Sequence, residues 1–433
     1  MNHVFHYIQR FLGKLSISLS IDKRILPVIL LGFINFLNFS ILIPVIPFLV
    51  KEYNINEVVY GVLLSLYPIA QILFVQFFAK LSDKFGRKPI LFFTQLGTLI
   101  SWVLFCIAYF VPNIPFLWVP LPIWIIGFSR IADGITGANM LVANAYIADI
   151  TTKKDRVHTF AQIEAAVAIG SLVGPLAGSI TVALPSSYLG TGLFAMIVSI
   201  IGLFAIQYFV VESIREKEHS VHINYFESLN FFNKIWKYRK NKNITNTYIY
   251  RFIFQFIFNA FVVVIFPFLI STYNIERSSY QMTLILILFG VTLVVNQLFL
   301  VPKTIALFGS TKIFFIGQLL MLGALISFSF STNIAFLIAV FLLLMFGVSI
   351  NLTLFKPFLT TNVKPNNLAE VIAIEEQIMT FTAAIAPIIA TAVYIAMGSM
   401  TFFFFALLAM LGFALTYLIN DEIYVHEGED GGE

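Results

Sequence analysis

Only 11% of the 433 residues are charged, against about a quarter in soluble domains, and a single residue is cysteine. The first shortage excludes a soluble globular protein. With 59% hydrophobic residues and a mean hydropathy of +0.91, the chain has too few polar side chains to cover a water-facing surface. The second excludes an intramolecular disulfide, since Cys106 has no partner, and leaves the redox compartment open. Histidine is scarce where chemistry would need it: His3, His6, His158, His219, His222 and His426 all fall in loops or termini. Neither a metal-ligand spacing nor a Gly-x-Ser-x-Gly turn occurs, so no intramembrane enzyme, metal or cofactor is expected.

What is present is a series of apolar runs of about twenty residues. Twelve recur, near 25–50, 58–79, 89–110, 118–146, 157–182, 190–211, 247–271, 280–301, 312–330, 333–355, 368–396 and 400–419, and predict an all-α membrane protein of twelve transmembrane helices. An even number places both termini on one side. With that side cytoplasmic, all but four of the 26 Lys and Arg residues sort to cytoplasmic loops; Lys51 and Arg277 fall outside, while Arg130 and Arg251 lie within runs. The net charge of +4 therefore reports orientation and not nucleic-acid binding. The first run is too long for a signal-peptide core and lacks a small-residue cleavage site behind it, so it is expected to remain as a span. The 48 phenylalanines are read as lipid-facing bulk.

The largest polar interruption divides the runs six and six. The expected organisation is an amphipathic cytoplasmic segment at 1–24, a six-helix bundle at 25–212, a cytoplasmic loop at 213–246, a second six-helix bundle at 247–420 and an acidic tail at 421–433. A weak repeat supports two parallel halves. It lays Phe85-Gly86 and Gln95 onto Phe308-Gly309 and Gln318, and Glu164, Gly170, Gly174, Pro175 and Gly178 onto Glu376, Thr382, Ala386, Pro387 and Ala390. In residues 4–15 the apolar positions share one helical face, and the central loop sets Phe226, Leu229 and Trp236 before the basic stretch from Lys237 to Lys242. Both segments read as lying on the inner leaflet, or else as a frayed terminus and a linker.

Between the second and third runs stands Asp83-Lys84-Phe85-Gly86-Arg87-Lys88, a charged hairpin in which Gly86 lets the chain reverse. Pro44-Val45-Ile46-Pro47, Tyr67-Pro68-Ile69-Ala70-Gln71, and Arg130-Ile-Ala-Asp-Gly-Ile-Thr-Gly-Ala138 through Asp149 follow the same pattern. On these residues the chain resembles the major facilitator superfamily, in particular the drug:proton antiporters that include the tetracycline exporters. The specific likeness covers roughly the first 180 residues. It implies alternating access around a cavity between two bundles, with no ATP-binding motif and hence an ion gradient as the driving force. The implied partners are a small hydrophobic substrate, protons and the lipid bilayer, in a monomer of the bacterial inner membrane. An importer or exporter of a defined metabolite or siderophore remains open, as does a receptor that does not transport.

The resemblance also assigns residues. Asp83 caps the start of the eleventh run in the outward-open state and Arg87 bonds Asp149, forming with Gly86 and Lys88 a conformational latch. Gly170, Gly174, Pro175 and Gly178 match the antiporter motif, though glycines at this spacing also serve ordinary helix packing. Arg130 and Asp133 lie three residues apart near the centre of the fourth run, where an unpaired charge costs about 2.5–3.5 kcal/mol on insertion scales. They read as a proton-coupling pair or as a structural ion pair. Glu376 and its repeat partner Glu164 are the next carriers, or Glu164 is a cap or interfacial group near a cytoplasmic helix start; adjacent residues point about 100° apart, so at most one of Glu375 and Glu376 faces a cavity squarely. Tetracycline exporters carry acids where this chain has Asn35 and Ser101. Asn35, Asn38, Gln71, Gln255, Asn259, Asn296 and Asn351 then form a polar, uncharged cavity lining, or join neighbouring helices.

Overall fold

The computed structural model describes residues 25–151, 153–182, 188–213, 235–239, 241–273, 295–361 and 368–420, with 284, 285, 288 and 291–293 besides. The terminal segments, most of the central loop and part of the eighth run lie outside these residues. So do the expected interfacial positions at 4–15, Phe226 and Leu229.

The described chain is almost wholly helical. The first run is α1 (Leu26–Ser40) and α2 (Leu42–Glu52), followed by α3 (Glu57–Phe85) and α4 (Arg87–Phe110). A two-residue hairpin, β1 (Pro115–Phe116) with β2 (Val119–Pro120), leads into α5 (Leu121–Ile135), α6 (Asn139–Ile150), α7 (Lys153–Val182) and α8 (Tyr188–Phe209). Then come α9 (Lys242–Tyr273), a π-turn at Asn296–Leu300, α10 (Val301–Phe308), α11 (Ser310–Ser329), α12 (Ile334–Thr361) and α13 (Leu368–Met397). A 3-10 turn at Gly398–Met400 precedes α14 (Thr401–Asn420). Among the described residues nine stretches are long and apolar enough to span a bilayer, the last of them, Ala373–Leu415, folded in two at Gly398.

Local chemistry sets the boundaries. Asn56 caps α3 by accepting from the Val59 amide at 2.9 Å, and Pro27 and Pro122 occupy first-turn positions of α1 and α5, where a missing N–H is harmless. Gly86 and Gly309, paired by the repeat, both turn between helices with positive φ, +111° and +81°, and ψ of 155°. Three expectations change. His158, read as a loop residue, lies within α7, because a helix can begin in the interface before its apolar stretch. The fourth run, read as continuous, breaks at 136–138, where Gly134 and Gly137 weaken the helix and the Thr136 hydroxyl donates to the Ala132 carbonyl at 3.0 Å. The seventh helix starts at Lys242, inside the expected loop, because hydropathy sees only the hydrocarbon-spanning part of a helix whose first turn reaches the interface.

The buried apolar residues form one large core drawn from 238–409 and two from 28–210, one of which also takes in Val263 of the other half. Within the first half α1 lies along α7, and α4 along α5 and α8; within the second, α9 lies along α13 and α11 along α12. The halves meet chiefly where α3 runs beside α13.

Candidate functional site

The α3–α13 seam has two unlike ends. At one, Gly61 is pressed so closely on α13 that an added Cβ would lie 2.6 Å from the Pro387 carbonyl oxygen. Toward the other, on the side of the Gly86 hairpin, the helices part around a cleft of about 180 Å³. Gln71, Gln76 and Asn144 line it from the first half, and Glu376, Gln377 and Thr380 from the second. Of the expected residues this brings together Gln71 and Glu376; Gln76, Asn144, Gln377 and Thr380 were not anticipated, since polar residues within an apolar run do not reveal which face they occupy. Gln71 donates to the Gly137 carbonyl at 2.6 Å, meeting a backbone group freed by the break between α5 and α6.

Just before that break, Arg130 and Asp133 are both buried and their charged groups lie 3.2 Å apart. The other Arg130 amino group donates to Ser101 Oγ at 2.9 Å, and the guanidinium carbon stands 4.8 Å from the centre of the Trp102 ring. Ser101 occupies the position where the resembled exporters carry an acid. The carboxylate beside Arg130 therefore comes from its own helix, one turn on, and not from α4.

Past the break, Asn139 donates to Asn35 Oδ1 at 2.9 Å and approaches Gln95 Oε1 at 3.4 Å, while Asn38 donates to Ser199 at 2.9 Å. These amides tie together α1, α4, α6 and α8. The second half repeats the device: Gln318 donates to Tyr250 and Asn351, and Tyr250 also donates to Asn351. Asn38 and Asn351 thus turn into their own bundles and away from the expected cavity lining, because an amide at bilayer depth takes the nearest partner it can reach. Asn296 is buried in the π-turn, and the Glu164 side chain lies outside the described residues.

Along the α9–α13 interface runs a polar stripe that sequence reading only half found. Gln255 donates to Asn259 at 3.3 Å, and Asn259 approaches Thr382 at 3.5 Å. One turn before Gln255, Arg251 pairs with Glu375 at 2.9 Å, both of them buried. Of the two adjacent glutamates, Glu376 faces the cleft and Glu375 the interior. The available signal was the second arginine inside an apolar run.

The hairpin is tied in several directions. Arg87 meets Asp83 at 2.5 Å, Asp149 at 3.0 Å and Ser82 Oγ at 2.5 Å. Asp83 is thus held within its own hairpin in this state, while Arg87 also reaches Asp149 near the end of α6. Glu212, unsuspected from sequence, accepts from the Arg87 and Lys88 amides at 2.9 and 3.2 Å, neutralising the bare N-terminus of α4, whose first turn holds no acid. The Lys88 amine donates to the Gln207 carbonyl at 2.9 Å, near the end of α8. We expect Arg87→Ala, which severs three of these links, to reduce transport severely while ligand affinity stays within about twofold, since charge-assisted bonds of about 1–3 kcal/mol bias the conformers and not the cleft. Equal transport rates for variant and wild type in vesicles of matched protein content would refute the latch.

The glycine motif lies against α1 and α2. A Cβ at Gly170, Gly174 or Gly178 would strike the Phe33 carbonyl, the Ser40 hydroxyl or the Ile41 carbonyl respectively, and Ser40 Oγ donates to the Gly170 carbonyl at 3.3 Å. The matching positions in α13, Thr382, Ala386 and Ala390, are fully buried.

Two helical halves that close on each other at one end and enclose a polar cleft toward the other define a two-bundle membrane transporter. Residues 28–306 match the Major Facilitator Superfamily, and the chain belongs to that family as a multi-pass membrane protein. A stretch is 34% identical to the class C tetracycline resistance protein of Escherichia coli, covering 39% of this chain and 41% of that protein. The chain thus spans about two fifths of the length of such relatives. Multidrug resistance protein 2 of Bacillus subtilis (strain 168) is 25% identical over 79% of this chain and 81% of its own length. Among solved structures a D-xylose-proton symporter superposes with a TM-score of 0.70 at 15% identity, over 90% of this chain and 96% of that one, a likeness of fold.

Proposed function

We propose that this protein is a proton-coupled exporter of small hydrophobic molecules, acting as a monomer. The observation that carries the reading is the buried Arg130–Asp133 pair. It sits on Ser101 beside the helix break that Gln71 of the cleft occupies. A buried acid whose charge is balanced by one guanidinium can exchange a proton as the cleft opens to either side, with Arg130 holding its charge state and Glu376 as the next carrier. The hairpin end of the seam is then cytoplasmic, the Gly61 end is the closed outer gate, and Asp83, Gly86, Arg87, Lys88 and Asp149 form the conformational latch, with Asp83 capping α13 in the outward-open state. The amides at Gln71, Gln255 and Asn259, with no fixed charge, suit substrates recognised by shape and apolar contact.

The test is accumulation of ethidium by proteoliposomes carrying an acid-inside pH gradient. Uptake that needs the gradient supports the reading, and uptake indifferent to it refutes coupling. Orientation is checked separately. A cysteine introduced at Asn230, in the stretch after α8, should react with impermeant maleimide only after cells are opened, and one at Asn113 in intact cells; the reverse pattern inverts every side assignment.

A further inference from the structure

The Arg251–Glu375 pair takes no part in the mechanism above, yet it is the most deeply buried ion pair described. Glu375 is fully buried, and Arg251 is packed with its guanidinium carbon 4.5 Å from the centre of the Phe355 ring and one amino nitrogen 3.0 Å from Met379 Sδ. The pair joins α9 to α13 at the level of the cleft, since Glu376, the next residue, faces that cleft. On the arginine side it is not saturated. Nε and Nη1 of Arg251 meet no acceptor among the described residues, and neither does Gln255 Oε1, one turn along α9, meet a donor. A bridge serving only to hold two helices would bring its remaining hydrogen-bonding groups into register.

We propose that Glu375 is a second proton-binding site, and that its protonation releases the first half of α13 from Arg251 and so sets how widely the cleft stands open. This rests on the proton-coupled reading of the transporter. The proton comes from water in the cleft beside Glu376 and adds to a carboxylate oxygen of Glu375. The product is a neutral acid next to a guanidinium that has lost its counter-charge. Because an unbalanced guanidinium is unfavourable at bilayer depth, Arg251 turns toward the open oxygen of Gln255. The α13 segment before Pro387 is then held to α9 by weaker contacts, while Pro387 itself remains against Gly61. That segment bears Glu376, Gln377 and Thr380, so its release moves one whole wall of the cleft.

Several groups lie near the pair among the described residues: Tyr250 on α9 is within electrostatic reach of Arg251, and Glu375 makes an interaction besides that with Arg251. From α9 come Arg251 and Tyr248, whose hydroxyl donates to the Val371 carbonyl at 3.2 Å; from α12 comes the Phe355 ring. Lys356 follows on α12 with a side chain outside the described residues. From α3, Gln71 and Gln76 line the cleft, and of the described residues lining it Glu376 is the one acid or base.

The experiment uses the full chain in lipid nanodiscs, with protons as the probe and no substrate. Infrared difference spectra between acid and alkaline pH, recorded in an Asp133→Asn background so that the α5 carboxyl makes no contribution, should contain a carbonyl stretch of a buried protonated carboxyl group. That band should vanish in Glu375→Gln and survive in Glu376→Gln. Spin labels at Lys84→Cys and Ala373→Cys, in a Cys106→Ser background, should show a distance that shifts with pH. Since Glu375→Gln alone strands a buried charge, the double variant Arg251→Gln/Glu375→Gln provides a neutral pair of similar size; in it both the band and the shift should be lost. A band unchanged in both variants overturns the proposal, and so does a pH-dependent distance in the double variant equal to that of wild type. Lower thermal stability with both readouts intact means a structural bridge and also overturns it. Ethidium uptake by wild-type proteoliposomes, run in parallel, tests the efflux reading itself, and its failure would leave these two readouts standing.

Discussion

Uphill transport should disappear in Asp133→Asn while exchange of substrate across the membrane persists. Exchange needs the cleft to alternate but no net proton movement, whereas accumulation against a gradient needs a group that takes up a proton on one side and gives it up on the other. Asparagine keeps the volume and one acceptor oxygen for Arg130, so the 3.2 Å contact can survive in weaker form, but it cannot titrate. Breaking a buried pair by removing one partner costs about 3–5 kcal/mol, and the remaining bond to Ser101 and the Trp102 ring should keep this variant below that range. The measurement pairs ethidium accumulation driven by an imposed pH gradient with counterflow in its absence. If Asp133→Asn accumulates dye like the wild type, the α5 pair is structural and the coupling carboxylate lies in α13. Loss of counterflow as well would instead point to a collapsed fold, which a thermal melt would reveal.

The glycines offer a second large contrast. Gly170→Ala places a methyl group against the Phe33 carbonyl and close to the Leu37 amide, both backbone atoms of α1 that no side-chain rotation can move aside. Overpacking of this kind costs about 1–3 kcal/mol and pushes apart the helix pair that organises the first half. Gly323 in α11 has nothing within 4 Å of its would-be Cβ, so Gly323→Ala should be neutral or stabilising by up to about 1 kcal/mol through helix propensity alone. Melting temperatures in detergent should fall for Gly170→Ala and hold or rise for Gly323→Ala. Equal effects would mean that the glycine stripe has no packing role.

Much of the candidate site was visible in the chain itself. A charge inside an apolar run is conspicuous against its surroundings, so Arg130, Asp133, Arg251 and Glu376 could be picked out without coordinates. The Asp83-to-Lys88 hairpin was equally plain, because its charges cluster between two long runs. Glu212 was not. It lies 125 residues beyond Arg87 and becomes a cap only when the end of α8 is brought to the start of α4. The amides were visible as residues but not as roles. Asn38 and Asn351 could as well have faced a cavity as a neighbouring helix, and the packing directs both inward. Between the two glutamates of α13 the repeat favoured Glu376 for the cleft, yet gave no reason to give Glu375 a partner.

By itself the sequence determined that the chain is a helical membrane protein and roughly where the nine spans of the described residues run. These follow from solvation: hydrocarbon admits only long apolar segments with their backbone bonds satisfied internally, so composition along the chain is enough to read them. The tertiary structure decided which polar groups meet. It set Arg130 between Asp133 and Ser101, broke the fourth run so that Gln71 could reach Gly137, and paired Arg251 with Glu375 beneath the cleft. Those outcomes depend on the rotation of each helix about its axis and on close approach at glycine, which pairwise packing fixes and a run of apolar residues does not encode.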